Sequence, residues 1–269
     1  MTTFTRLVDV IRALRDPTHG CPWDLAQNHR TLRPFLLEEA YEVLEAIDTG
    51  NDRALCEELG DVLLQVVLHA QLATERQAFS IEDVSREITE KMVRRHPHVF
   101  GDAKVEGVDQ VLENWHLLKK QEKGTDEPAG TLGGIPKSAP ALLRAQRMGE
   151  KAARVAFDWA SLGEVMAKVS EELEELRVEL TRFERSESNQ MELEHEFGDV
   201  LFALCQLARW LKLDAENCLR EAASRFELRF NLMERDAPSP LSGVSPEELD
   251  RLWNEAKAKL SLADDKQQS

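Results

Sequence analysis

The sequence predicts an all-α protein in which one helical-bundle unit occurs twice in tandem. Apolar residues recur at three- and four-residue steps between charged ones, and no segment alternates in the manner of a strand. Only 6% of the residues are aromatic, so aliphatic side chains must fill the core, as they do in helical bundles. Two segments near the start of the chain also match two segments of its second half.

The chain length and a Gly/Pro-rich stretch predict two domains. At roughly 100 to 200 residues per domain, 269 residues suit two compact units. Four Gly and three Pro lie between residues 123 and 142, a density that breaks helices. We therefore expect a first helical domain at 1–122, a linker at 123–142 and a second helical domain at 143–269.

The internal repeat pairs acidic residues of the two halves. Segment 36–47 matches 169–180, and segment 57–72 matches 195–210. Glu39 and Glu42 then fall opposite Glu172 and Glu175 at an offset of 133. Glu58 and Asp61 fall opposite Glu196 and Asp199 at an offset of 138. Farther along, Lys91 and Arg95 fall opposite Arg225 and Arg229. The pattern indicates a single duplication.

Each copy reads as a helical hairpin with an E-x-x-E pair on one arm and an E-x-x-D pair on the other. Residues three apart share a helix face, with Cβ atoms about 5 to 6 Å apart. The turns predicted at 48–51 and 186–189 lie near the midpoint between the two pairs. Arms of equal length return both pairs to the same level. Each hairpin should therefore bring four carboxylates together: Glu39, Glu42, Glu58 and Asp61 in the first, and Glu172, Glu175, Glu196 and Asp199 in the second.

Such clusters favour a divalent metal site over a merely solvated acidic face. The second pair of each copy adjoins a strongly apolar segment, where unpaired carboxylates are costly. Hard oxygen ligands without thiolates select Mg²⁺, with Mn²⁺ as a possible substitute. A di-iron centre would need a Glu-x-x-His motif on each of two helices. The candidates, Glu113-x-x-His116 and Glu192-x-x-His195, lie in different repeats and outside the carboxylate set.

Charge and composition limit the partners. With 34 Lys+Arg against 50 Asp+Glu, the net charge is −16, which argues against a nucleic-acid polymer as the partner.

The longest uncharged apolar stretch, 62–74, is 13 residues, short of the ~20 that span a bilayer. Four cysteines without a CxxC pair suit a reducing, cytoplasmic location. A carboxylate-bound Mg²⁺ beside basic residues suits phosphate ester or anhydride substrates.

The C-terminal segment contains a helix start and a candidate base-stacking residue. Ser245 followed by Pro246, Glu247 and Glu248 predicts an N-cap with Pro at the first helical position. Trp253 lies one turn before Lys257, so it could stack on a base above a phosphate-binding lysine. The alternative is a Trp that anchors a terminal helix in the core.

Several motifs make the chain resemble the MazG family of nucleoside triphosphate pyrophosphohydrolases along nearly its whole length. They are GCPWD at 20–24, LLEEAYEV at 36–43, EELGDVLLQVV at 57–67, RRHPHVFGD at 94–102, FDW at 157–159, SEELEEL at 170–176 and FGDVLF at 197–202. The resemblance implies Mg²⁺-dependent hydrolysis of ATP or other (deoxy)nucleoside triphosphates to monophosphate and pyrophosphate, as nucleotide-pool housekeeping by a homodimer. It implies nucleotide contacts from Lys168, Glu171, Arg225, Arg229, Trp253 and Lys257, and the repeat adds Lys91 and Arg95.

Two features leave the roles of the repeats open. Family second copies often read K-x-N-x-K-F-x-R-R-F on the basic helix, whereas this chain has Glu221, Ala223 and Leu228 at three of those positions. The first copy has Phe35 where the second has Lys168. We favour turnover in the second copy on family grounds; the alternatives are that one repeat is a nucleotide-sensing or dimerisation module, or that the protein is purely structural. Glu38 and Glu171, directly before each E-x-x-E, are candidates to position or deprotonate the attacking water.

Overall fold

The computed structural model describes residues 2–105, 107, 110–111, 114–115, 118, 130–237 and 240–267. Within these ranges every regular element is a helix, which confirms the all-α prediction. The chain divides into two compact units, residues 1–126 and 127–269. Residues 123–129 of the expected linker lie outside the described residues, so the domain limits stay a prediction. In the part of the chain that is described, no helix is both long and apolar enough to cross a membrane.

The first unit is built of helices around a small aliphatic core. They are α1 (Thr3–Leu14), α2 (Pro22–Ala26), α3 (Arg33–Asp48), α4 (Asp52–Glu75), α5 (Ile81–Arg95) and α6 (Pro97–Phe100). Helices α3 and α4 form the predicted hairpin, and α1 and α5 pack against α4. The buried core consists of Ile11, Leu32, Val67, Leu68 and Leu72. The hairpin is therefore supported from α4, the arm that carries Glu58 and Asp61.

The turn between α3 and α4 forms where the sequence predicts it. Gly50 adopts a φ of +63°, a left-handed conformation that glycine accepts without steric cost. Asn51 caps α4, its Oδ1 accepting hydrogen bonds from the backbone N–H groups of Arg53 and Ala54, both at 3.2 Å. A short turn with a firm cap fixes the register of the two arms.

The second unit contains a longer helical hairpin and a pair of helices that follow it. The helices are α7 (Ala141–Ala153), α8 (Leu162–Glu184), α9 (Gln190–Trp210), α10 (Ala215–Asp236) and α11 (Pro246–Gln267). Helix α9 packs along α8 and α7, and α10 packs along α11. Asn189 and Glu192 form a capping box at the start of α9, which confirms the predicted turn before it.

The last helix begins as the sequence predicts. Pro246 is its first residue, and Ser245 Oγ accepts a hydrogen bond from the backbone N–H of Glu248 at 3.3 Å. Helix α11 then packs against α10, with Leu252 and Ala256 buried. This contact brings the face of α11 that carries Trp253 against α10, the helix that carries Arg225 and Arg229.

Candidate metal centre

Carboxylates from both arms of the first hairpin converge. Oxygen atoms of Glu39 on α3 and of Glu58 and Asp61 on α4 all lie within 4.8 Å of one another, and all three residues are half-buried. Glu42 is close enough to hydrogen-bond both Glu39 and Glu58. The structure therefore brings together all four residues that the hairpin geometry predicts.

The electrostatics of this cluster favour a positive charge or a proton. Burial, together with Asp61 and Glu42, raises the pKa of Glu39. Burial, Glu42 and Asp61 likewise raise the pKa of Glu58. A hydrogen bond from Gln65 acts in the opposite direction on Glu39. Carboxylates gathered this closely repel one another, and a divalent cation removes that repulsion.

The second hairpin gathers its carboxylates in two overlapping groups. Atoms of Glu172, Glu175 and Glu196 lie within 4.8 Å of one another, and Glu196 also belongs to a group with Asp199 and His195. Glu172 is 7% exposed. Burial and the charge of Glu172 raise the pKa of Glu175. Glu196 thus connects the E-x-x-E pair on α8 with Asp199 on α9.

A lysine already contacts this second cluster. The Nζ atom of Lys168 lies 2.7 Å from Oε1 of Glu172 and 2.8 Å from Oε1 of Glu171. These two carboxylates raise the pKa of Lys168. Lys168, predicted to bind the nucleotide, is therefore paired with Glu172, a predicted metal ligand, and with Glu171, a candidate general base. Phe35 holds the corresponding position in the first unit.

His195 is a neighbour of the site that sequence reasoning placed outside it. Its Nδ1 lies 3.4 Å from Oδ2 of Asp199 and 3.7 Å from Oε1 of Glu196. The i, i+4 spacing to Asp199 is the signal that could have found it, because such residues are neighbours on a helix surface. The first unit has Glu57 at the position that matches His195. An imidazole nitrogen therefore lies beside the second cluster, whereas the first unit has a carboxylate at that position.

The basic and aromatic candidates of the second unit form a cluster of their own. The ring centroids of Phe226 and Trp253 are 5.1 Å apart, and Cζ of Arg229 lies 6.0 Å from the Trp253 ring centroid. Arg225 pairs with Glu221 at 3.7 Å. The half-buried Trp253 therefore helps to join α11 to α10, while it lies beside a cation.

The remaining candidates lie on helix surfaces. Lys91 and Arg95 are one turn apart on α5 and half-buried. Glu38 is exposed on α3 next to Glu39, Glu171 is exposed on α8, and Lys257 is exposed on α11 one turn after Trp253. Glu38 and Glu171 thus directly precede the carboxylate pair in each unit.

Comparison with known proteins gives the family. The model of the MazG nucleotide pyrophosphohydrolase domain matches residues 27–100, the segment that contains the first carboxylate cluster. The nucleoside triphosphate pyrophosphohydrolase/pyrophosphatase MazG of Thermotoga maritima is 45% identical over 257 residues, which cover 94% of this chain and 95% of that protein. The chain belongs to the MazG family.

Other relatives support this assignment to the MazG family. The nucleoside triphosphate pyrophosphohydrolase of Escherichia coli strain K12 is 41% identical over 260 residues, or 96% of this chain and 98% of that protein. YabN of Bacillus subtilis, an uncharacterized protein, is 45% identical over 257 residues, which make up 51% of its length. The family predicted from the motifs is confirmed, and the all-helical structure agrees with it.

Proposed function

We propose that this chain hydrolyses nucleoside triphosphates to a nucleoside monophosphate and pyrophosphate, with a divalent cation held by its carboxylate clusters. The observation that carries the proposal is the convergence of Glu39, Glu58 and Asp61 within 4.8 Å, repeated by Glu172, Glu175 and Glu196. Full-length relatives named nucleoside triphosphate pyrophosphohydrolase support the reaction.

The donor atoms fit Mg²⁺ or Mn²⁺. The first cluster offers only carboxylate oxygens, the ligands that these hard cations prefer. Burial and the crowding of neighbouring carboxylates raise the pKa of Glu39 and of Glu58, and a cation would relieve the crowding. The proposed ligands are Glu39, Glu42, Glu58 and Asp61 in the first unit and Glu172, Glu175, Glu196 and Asp199 in the second. When bound, such a cation would offset negative charge on the triphosphate and would make water a better nucleophile.

Basic side chains of the chain are proposed to hold the triphosphate. Lys168, Arg225, Arg229 and Lys257 supply positive charge in the second unit, and Lys91 and Arg95 supply it in the first. Trp253 is proposed to contact the base. Glu38 and Glu171, next to the metal ligands, are proposed to orient the attacking water or accept its proton.

A division of labour between the units is the second candidate function. Lys168 stands beside the second cluster where the first unit has Phe35, and His195 stands where the first has Glu57. These differences favour distinct roles, with one unit turning over substrate and the other sensing nucleotide or supporting a dimer. On family grounds the second unit is proposed to be the catalytic one.

Paired substitutions test both candidates. Glu172→Gln with Glu175→Gln should abolish most triphosphate hydrolysis, whereas Glu39→Gln with Glu42→Gln should leave a large part of it. Helicity measured by circular dichroism checks that each variant is folded, and Glu174→Gln with Glu45→Gln is the matched control outside the proposed ligands. Equal losses from the two pairs would contradict a division of labour, and no loss from either would contradict the metal sites.

A homodimer and a cytoplasmic location complete the proposal. Leu37 and Leu59 on the first hairpin, and Leu173 and Phe197 on the second, are each at least 50% exposed. A contiguous exposed apolar patch is typical of a surface that a partner covers. We expect a second copy of the chain to cover them, measurable as a doubled mass in light scattering.

Cys21, Cys56, Cys205 and Cys218 are all unpaired, as a reducing compartment favours.

A further inference from the structure

One positive charge is built into the second carboxylate cluster. The Lys168 ammonium contacts Oε1 of Glu172 at 2.7 Å, and the Glu172 side chain is 9% exposed. The same ammonium contacts Glu171 at 2.8 Å. Charge-assisted hydrogen bonds of this length are among the stronger polar contacts in proteins. In the metal-free state Lys168 therefore neutralises the most buried carboxylate of the group.

The first unit has no counterpart of this lysine. Phe35 occupies the matching position on α3, four residues before Glu39. The interactions that raise the pKa of Glu39 come from burial, Asp61 and Glu42. For Glu175 in the second unit, by contrast, Lys168 lowers the pKa against the effect of Glu172. The two clusters thus have corresponding carboxylates, but the second has Lys168 where the first has Phe35.

From this contrast we propose that Lys168 competes with the divalent cation of the second unit, and that the cation, by displacing it, releases the ammonium to the triphosphate. A cation among Glu172, Glu175 and Glu196 would lie within a few ångströms of the ammonium, and like charges at that distance repel strongly. Lys168 has a flexible stem and a point charge, so it can turn from one anion to another. This inference rests on the proposed metal site.

The exchange makes metal and nucleotide binding depend on each other. Without nucleotide, the cation must displace Lys168 from Glu172, which weakens its binding. With a triphosphate present, the displaced ammonium gains a new anionic partner, so each ligand favours the other by the same factor. Lys168 acts here as a positioning residue that sets the affinity of the metal. The first unit has Phe35 in place of this lysine.

Binding of Mn²⁺ alone tests the proposal in the full chain. Glu58→Gln with Asp61→Asn removes the first cluster, so that titration calorimetry reports only the second. Against this background, Lys168→Met should bind Mn²⁺ roughly three- to tenfold more tightly, because a competing charge is lost. Lys137→Met, an exposed lysine of the same unit, should leave the affinity unchanged. Unchanged or weaker binding by Lys168→Met would overturn the proposal.

Two further measurements separate the possible failures. With a non-hydrolysable triphosphate analogue present, the tighter Mn²⁺ binding of Lys168→Met should disappear or reverse. The variant lacks the ammonium that, once displaced by the cation, would contact the triphosphate. In a chain with Glu196→Gln and Asp199→Asn, Phe35→Lys should weaken Mn²⁺ binding to the first cluster. An unchanged affinity there, or an advantage that persists with the analogue, would contradict the exchange. Absence of Mn²⁺ binding to the unsubstituted chain would overturn the proposed function itself, and this inference with it.

Discussion

Arg15 and Glu75 join α1 to the last turn of α4 through two parallel hydrogen bonds. Nε of Arg15 donates to Oε1 of Glu75 and Nη2 donates to Oε2, both at 2.6 Å. Arg15 also donates to the backbone carbonyl of Asp24, and its side chain is 7% exposed. The pair raises the pKa of Arg15 and lowers that of Glu75. It ties the N-terminal segment to the arm that carries Glu58.

Loss of this ion pair should destabilise the first unit. Glu75→Gln keeps the side-chain shape but leaves the Arg15 charge buried without its partner, which should cost about 3 kcal/mol of unfolding free energy. Urea unfolding measures the change, with the exposed Glu90→Gln as control. Because the pKa of Glu75 is lowered on folding, its contribution is present above about 4.5 and lost as the pH falls below that value. A change below about 0.5 kcal/mol would contradict this account.

Two histidines in the first unit form a pH-sensitive contact. The rings of His29 and His69 stack with centroids 5.1 Å apart, and their Nδ1 atoms are 2.8 Å apart. Arg76 donates to Nε2 of His29 at 2.7 Å. His29 must therefore carry its proton on Nδ1 and donate it to Nδ1 of His69, so both rings are neutral. Protonation of His69 on Nδ1 breaks the hydrogen bond between the two rings.

Acidification should therefore destabilise the first unit near neutral pH. Burial, followed by the electrostatic effect of His29, lowers the pKa of His69 from 6.5. The unfolded chain then takes up a proton at a higher pH than the folded one, so stability is lost as the pH falls below about 6.5. His69→Gln should remove much of this dependence in urea unfolding at pH 5.5 to 7.5, and the exposed His19→Gln should retain it. A profile that stays the same in His69→Gln would contradict the assignment.

Divalent cations should raise the melting temperature of the protein. A ligand that binds only the folded state stabilises it by about 2.7 kcal/mol at 100 times its dissociation constant. Replacing Glu58 with Gln should reduce the Mg²⁺-induced shift, and it should also stabilise the metal-free protein, because it removes repulsion from Glu42 and Asp61. Glu45→Gln, on the same hairpin, should respond to Mg²⁺ like the unsubstituted chain. Differential scanning fluorimetry distinguishes these results, and equal shifts in both variants would exclude Glu58 as a ligand.

A close contact between α7 and α9 predicts a strong packing effect. A Cβ atom at Gly149 would lie 1.7 Å from Oε1 of Gln206, which is 1% exposed. Gln206 donates to the carbonyl of Ala145 and accepts from Nε of Arg209, both at 3.0 Å. Gly149→Ala should therefore cost at least about 2 kcal/mol. Gly163→Ala, where the nearest atom to an added Cβ is Ser161 Oγ at 3.7 Å, should be neutral or stabilising. Differential scanning fluorimetry of both variants measures the difference.

Local patterns predict the hairpins and the convergence of their carboxylates well, because these depend on helix periodicity and on turns. The Gly50-Asn51 turn and the E-x-x-E spacing contain enough information to place Glu39 and Glu58 at one level. The spacing of Lys168 and Glu172 also predicts their ion pair, although the motif indicated only nucleotide binding for Lys168. The i, i+4 spacing of His195 and Asp199 could also have found that neighbour. The contact of His29 with His69 spans 40 residues of chain, which no local pattern predicts.

Product analysis tests the central claim most directly. The protein is incubated with a nucleoside triphosphate and Mg²⁺, and the phosphorus-containing products are followed by ³¹P NMR, with a metal chelator in a parallel sample. We predict nucleoside monophosphate and pyrophosphate in equal amounts with Mg²⁺, and no turnover with the chelator. Release of orthophosphate and nucleoside diphosphate instead, or turnover that persists without a divalent cation, would contradict the account.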